Sequence, residues 1–441
     1  MKKIFILLAT ALFTSACTAD LDQVPPNLGA SESITDFTPV LFAAYNYQNQ
    51  AVAPMAIFGD FRSDNALFDE EFTAFDTFTL PSTLAGDATQ AFLEPFYVAL
   101  YNSILSANNV IENSSDATLV AEARFLRGLS YFKLVQVFGD VTVNLLNATP
   151  DQIAAADITR QPKASVYTDV IIPDLEAARD GLAASTAAAA KGRATKYAAQ
   201  GLLGKVLATT GNYPEAEAQL ATVMSGTGAA GIISSTSFAD VFSSDLNAEI
   251  LFATQLSSSF SYSNEIFTNW FAGNNTKADQ GGPVSPNLVS AFAANPADVR
   301  GALTVDNNGG DPIATKFARG TEQDWIELRI ADVVLLYAEA LNENNKTAQA
   351  ITELNRIRTR AGLAATAAIS KADVRQAILD ERRLELALEG HRWFDLVRAE
   401  AAEAGLMNAN MGATVPSSLY IFPLPTTEIT SFPDITQNPG Y

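Results

Sequence analysis

One set of small and apolar residues is written twice in this chain at a single spacing. Gly204, Leu207, Ala216, Leu220 and Val223 recur, offset for offset, as Ala338, Leu341, Ala350, Leu354 and Ile357. In each copy the residues fall three or four apart within two runs, the period of a helix with one buried face. Between the runs of the first copy stands Gly211-Asn212-Tyr213-Pro214, a turn signal. Each copy therefore reads as a helical hairpin, over Lys196–Met224 and Asp332–Ile357. The small residues Gly204 and Ala216 let its two helices approach closely. One hairpin leaves an apolar face uncovered, so several must stack side by side.

The hairpin resembles a tetratricopeptide repeat, and the rest of the chain supports an all-α (mostly) scaffold. Helical periodicity begins near Asp36–Gln50. It is clearest in Ala121–Phe138, where Phe125, Leu129, Phe132 and Val135 make one apolar face and Leu126, Leu134, Val137 and Phe138 make others. A helix apolar on several sides belongs inside a helical stack. Gly139-Asp140 stops it, and Val141-Thr142-Val143 leaves extended.

Ser225–Trp325 has a different character, rich in Ser, Asn, Gly and Pro, with breakers at Ser257-Ser258-Ser259 and Gly281-Gly282-Pro283 and aromatics without helical period. This predicts a loop-rich insertion at about 225–325, and loops on a rigid scaffold commonly carry binding residues. The tail from Leu419 is also irregular.

Lys2 and Lys3, the apolar run Ile4–Phe13 and Thr14-Ser15-Ala16-Cys17 read as a lipoprotein signal peptide over residues 1–16. The run is too short to span a bilayer. Cys17 is the expected lipidation site, and residues 17–35, with Pro25, Pro26 and Gly29, the expected tether to a domain over 36–441. Cys17 is the sole cysteine, which excludes an intramolecular disulfide and a thiolate metal cluster. The formal net charge is −21, and cleavage after Ala16 removes two lysines and no acid. Such a balance argues against nucleic acid as partner and favours neutral or weakly charged ligands.

Several stretches together resemble the SusD (RagB) family of nutrient-binding outer-membrane lipoproteins. They are Arg124-Phe125-Leu126-Arg127 running into Tyr131-Phe132 and Phe138-Gly139-Asp140-Val141, then Arg329–Asn342, then Glu381-Arg382-Arg383-Leu384-Glu385 with Glu389-Gly390-His391-Arg392-Trp393-Phe394-Asp395-Leu396. Phe422-Pro423-Leu424-Pro425 and Gln437-Asn438-Pro439-Gly440-Tyr441 close the series. The resemblance implies a SusD-like domain anchored by lipid at the outer membrane and facing the cell exterior. It further implies a lid on a SusC-like TonB-dependent transporter, receiving an oligosaccharide ligand without a cofactor. A peptide-binding lid of the same transporter type is the alternative within the fold. A carboxylate-based glycosidase is the alternative from another class.

Glu381, Glu385 and Glu389 repeat every four residues, which places like charges together unless cations intervene. Arg382 and Arg392, three residues from a glutamate, and Arg124, Arg127 or Arg358 from neighbouring helices are the expected partners. The cluster reads as a structural ion-pair network, in which Glu385→Gln harms folding rather than affinity, and only secondarily as an acid and base pair. His391, the single histidine, builds neither a zinc site nor a Ser-His or Cys-His arrangement. Core or interface duty is expected for it and for Trp393.

Sugar sites combine aromatic platforms with planar amides, carboxylates and guanidinium groups. The insertion offers Tyr262, Asn264, Phe267, Asn269, Trp270, Phe271, Asn274 and Asn275, with Trp270 the first choice of platform and packing against the scaffold its competing role. Trp270→Ala is thus expected to weaken binding at least about tenfold with little change in melting temperature. Asp60-Phe61-Arg62-Ser63-Asp64-Asn65 is a second patch, where Arg62, Asp64 and Asn65 offer hydroxyl contacts or, alternatively, form a capping turn. Trp325 is a third platform.

Overall fold

A computed structural model describes residues 34–68, 75, 78, 86–146, 159–187, 192–256, 267–272, 283–307 and 311–441. Its compact body is Thr38–Tyr441, with Met1–Phe37 a separate unit. The longer helices are α1 (Thr38–Gln50), α2 (Asp87–Asn113), α3 (Ala117–Phe138), α4 (Ile172–Gly181), α5 (Lys196–Thr209) and α6 (Tyr213–Thr227). After the strand β1 (Ile250–Thr254) and its partner β2 (Trp325–Arg329) come α7 (Ile330–Glu343), α8 (Thr347–Arg360), α9 (Lys371–Glu385) and α10 (Arg392–Ala402). From α1 to α8 each helix packs on its predecessor, and α9 lies on both α7 and α8. This is the stack that the duplicated hairpin predicts, with α5–α6 and α7–α8 as its two copies. Among the described residues no helix is long and apolar enough to cross a membrane.

The local reasons are visible in the sequence. Asp116 caps α3 by accepting from the Thr118 and Leu119 amides, and Gly139, at φ +72°, ends it. Gly204 faces Leu220 so closely that a Cβ there would lie 2.6 Å from the leucine methyl carbon, which is the helix approach expected of the repeat. The C-terminal tail is pinned rather than loose. The Phe422 amide donates to the Val137 carbonyl at 2.7 Å, and the Asn438 amide to the carbonyls of Phe138 and Phe422 at 2.9 and 2.6 Å.

The described part of the insertion holds more regular structure than its composition suggests. The antiparallel β1–β2 ribbon, with register shifts near Phe252, closes its base. Short helices occupy Ala229–Ser235, Phe238–Ser243, Phe267–Phe271, Pro286–Ala293 and Val299–Thr304. Several of its described aromatics, which lack a helical period, instead pack on one another. Phe267 packs edge-on against both Phe317 and Trp325 at 5.0 Å, and Phe238 against Phe242 at 5.4 Å.

Candidate functional site

The glutamate triad lies at the centre of the molecule and is saturated with cations. Arg329, fully buried, donates to Glu389 at 2.8 and 2.9 Å, to Glu249 at 2.6 Å, and to the Glu385 carboxylate and carbonyl, both at 2.7 Å. Arg300 binds Asp298, Glu381 and Glu385 at 2.7, 2.8 and 3.0 Å. Arg358 reaches Glu381 at 2.9 Å, Arg360 bridges Glu249 and Glu385, and Lys316 meets Glu389 at 2.8 Å. Carboxylates neutralised in this way have no open side for a substrate, so the arrangement is structural.

Some expected pairings fall elsewhere. Arg124 and Arg127 grip Asp174 on α4, at 2.9 and 2.6 Å, outside this network. Arg382 turns away from the neighbouring glutamates to Asp332 and Asp395, and Arg392 binds Asp64 at 2.7 Å. Helical spacing identifies neighbours on one helix. It does not show which face the packing of three helices will bury. His391 is buried with Nδ1 3.1 Å from the Lys205 ammonium, and burial first, then that charge, pushes its imidazole down to about 3. Trp393 is fully buried and donates to the Tyr420 carbonyl at 3.1 Å.

These charges make stability depend on acidity. Burial raises the Glu389 carboxyl, but Arg329 and Lys316 overcome it and hold the group at about 2, below its ordinary 4.5. A carboxylate depressed by folding stabilises fully above about pH 4.5, and that contribution is lost as pH falls toward 2. Asp60 works in the opposite sense. Burial lifts it to about 6 despite its hydrogen bonds, so its contribution weakens as pH rises from about 4 to 6. Urea midpoints measured from pH 7 down to pH 3 are expected to drop below about 4.5. Glu389→Gln should be less stable at pH 7 and show a shallower acid limb. An acid limb as steep as the parent's would refute this role for Glu389.

The two patches picked from the sequence come together, but as a clamp rather than an open surface. Asn65 is fully buried, donating to Asp60 and accepting from Arg383, both at 3.0 Å. Asp64 is held by Arg392 and Arg383, and the Ser285 hydroxyl donates to its carbonyl at 2.6 Å. The carboxylate of Asp60 accepts from the Leu388 and Gly390 amides at 3.2 and 2.6 Å. Arg62 is 1% exposed, donates to the Phe75 carbonyl at 2.7 Å and lies 4.4 Å from the Phe78 ring centroid. The turn thus ties the middle of the insertion, through the adjoining Ala66–Val284 bridge, to the Arg383–Arg392 motif. A polar hexapeptide signals a turn, yet nothing local reveals that distant arginines consume its acceptors.

Trp270 is also turned inward, 7% exposed and edge-on to Phe68 and Phe92 at 5.9 and 5.3 Å. Trp325 is 4% exposed, against Phe267 and over Gly390. The expectation of exposed platforms at these two tryptophans is corrected accordingly. The rings find a second aromatic core to bury in. Trp270→Ala should cost stability, on the order of 3–5 kcal/mol for a truncated core tryptophan. An unchanged urea midpoint would count against that. Phe267 and Phe271 are buried and Asn269 is half-buried. Tyr262, Asn264, Asn274, Asn275 and Cys17 lie outside the described residues. The cations missed from the sequence are Arg329, which stands in a family stretch without being expected in this network, Arg360, two residues beyond the expected Arg358, and Arg300 and Lys316, whose positions carry no motif.

A hairpin stack whose hallmark acids and arginines neutralise one another inside the core, with an insertion built on a two-stranded base, defines a class of helical scaffold protein. Two family models match this chain: one described as the SusD family over residues 305–441, the other as "Starch-binding associating with outer membrane" over 21–207. A SusD-like protein, P2, of Formosa agariphila is 25% identical, with 100% of both chains covered. A SusD-like protein of Bacteroides ovatus is 25% identical over 90% of this chain and 82% of its own. Among solved structures, a SusD superfamily protein from Bacteroides thetaiotaomicron has a TM-score of 0.75 at 22% identity, covering 91% of this chain and 99% of that one. A laminarin-binding SusD-like protein has a TM-score of 0.74 at 24% identity, covering 92% and 99%. In both its first and its last part, and in fold over nearly its whole length, the chain is similar to the SusD family.

Proposed function

We propose that this protein is a non-catalytic, glycan-binding lipoprotein of the outer membrane. It captures a neutral oligosaccharide at the cell surface and passes it to a SusC-like TonB-dependent transporter, with acyl chains on Cys17 as its anchor. The observation that carries this reading is the match in fold, over nearly the whole of both chains, to a protein described as laminarin-binding. The family description naming starch binding and the outer membrane points the same way, and the net charge of −21 favours a neutral ligand. The ion-paired glutamates support binding without bond cleavage. Of the residues chosen from the sequence, Asn269 and Tyr262 serve as candidate contacts. Arg62, Asp64, Asn65, Trp270 and Trp325 are buried and are set aside as contacts.

The test is calorimetry of the full chain against laminarin, starch and xylan oligosaccharides and against mixed peptides. Binding of at least one neutral glycan and of no peptide is expected. Peptide binding alone would replace the reading with a peptide-uptake lid. Reducing ends appearing on prolonged incubation would replace it with a glycosidase.

A further inference from the structure

We infer that an open groove beside α1 is a subsite for a neutral sugar segment, with Phe42 as its stacking platform. The inference rests on the glycan-binding reading above and deepens it. Phe42 stands three residues before Tyr45 and four before Asn46, and Asn49 stands four and three residues after them, so the four share one face of α1. Phe42 is a large aromatic left 49% exposed on a helix whose opposite face is buried through Leu41, Ala44 and Gln48. It lines a groove of about 430 Å³ together with Arg193, Gln255 and the two asparagines, a volume within the range of small-ligand sites.

The groups around the ring are preset. The Arg193 guanidinium lies 5.5 Å from the Phe42 ring centroid and donates to both oxygens of buried Glu122, at 2.9 and 2.6 Å, while its side chain stays 41% exposed. The Tyr45 hydroxyl donates to Glu122 at 2.6 Å and accepts from the Ala194 amide at 2.8 Å, which ties the Arg193 segment to α1. Gln255 rests on the bare Cα of Gly192, where a Cβ would come 2.1 Å from its side-chain oxygen. Asn46 and Asn49 stand within 3.5 Å of each other along the same face.

The chemistry of this lining selects the ligand. A ring takes the C–H face of a sugar, and three carboxamides and a guanidinium edge give both donors and acceptors to hydroxyls. Among the described residues of the lining Arg193 is the only charged side chain, and Glu122 already neutralises it, so a charged ligand gains little here. A docked protein would need a contiguous apolar patch, whereas the neighbours of Phe42 in the groove are mainly polar.

Calorimetry of the full chain with laminarihexaose, maltohexaose and xylohexaose tests the assignment. Phe42→Ala should weaken the hexasaccharide that the parent binds at least about tenfold, and Phe42→Trp should restore it to within about threefold. Melting temperatures should stay unchanged, since the ring is half exposed. Unaltered affinity in Phe42→Ala would overturn the subsite and leave the glycan-binding reading standing. Failure of the parent to bind any of the three would overturn that reading, and the subsite with it.

Discussion

Arg329→Met is expected to leave little folded protein. Burying a charge pair is weak evidence for stability in itself, because desolvation cancels much of the attraction, but removing one partner strands the other. Loss of a single partner from a buried pair typically costs about 3–5 kcal/mol. Arg329 serves Glu249, Glu385 and Glu389 together, all three nearly or wholly inaccessible, so the upper end of that range or beyond is expected. Total stabilities run to about 5–15 kcal/mol, which makes the loss a large share of the whole. Arg329→Lys keeps the charge but not the planar fork that reaches three carboxylates at once, and should fall between methionine and the parent. Glu385→Gln, which strands part of Arg300, Arg329 and Arg360, should also lose stability. The measurement is the urea midpoint of the soluble fraction followed by circular dichroism. A methionine variant with a midpoint near the parent's would mean the network is not what holds the centre together.

The second large effect concerns Gly59, in the π-helical turn Ile57–Phe61 that precedes the clamp. A Cβ on Gly59 would stand 2.2 Å from the carbonyl oxygen of Gly390 and 2.3 Å from its carbonyl carbon. Both clashing atoms are backbone, so no rotamer relieves them. The turn cannot simply move away. The Asp60 carboxylate is bonded to the Leu388 and Gly390 amides, and Gly390 itself sits at φ +75° with the Trp325 ring 2.8 Å from where its own Cβ would be. Gly59→Ala should therefore cost about 3 kcal/mol, at the high end for overpacking, and disturb near-ultraviolet circular dichroism from Trp325. Parent-like stability and spectrum in this variant would show that the crossing is looser than the geometry states.

These two sites show how unevenly the sequence speaks. The spacing of Glu381, Glu385 and Glu389 announces a charge problem, and Arg358, in the last turn of the preceding helix, is a foreseeable partner. Arg300 and Lys316 are not foreseeable, since their pairing depends on where the insertion returns to the core, and helical spacing does not show that Arg360, in the same last turn, reaches Glu249 and Glu385. The Gly59–Gly390 crossing is equally silent. A lone glycine in an apolar run carries no mark of the backbone that will cross it some 330 residues later. The face Phe42, Tyr45, Asn46 and Asn49 was readable as a helical stripe, but Arg193 and Gln255, which complete the groove, come from distant segments.

The sequence by itself determined the helical hairpins, their duplication, the close approach at Gly204 and the likeness to the SusD family, because a helix and its turn are encoded by residues within a few positions of one another. The tertiary structure alone decided which polar and aromatic residues face water. Arg62, Asp64, Asn65, Trp270 and Trp325 have the composition of a binding surface and are buried, while Phe42, which looks like core, is exposed. Exposure depends on what packs against a side chain from elsewhere in the chain, and periodicity within one helix carries no record of that.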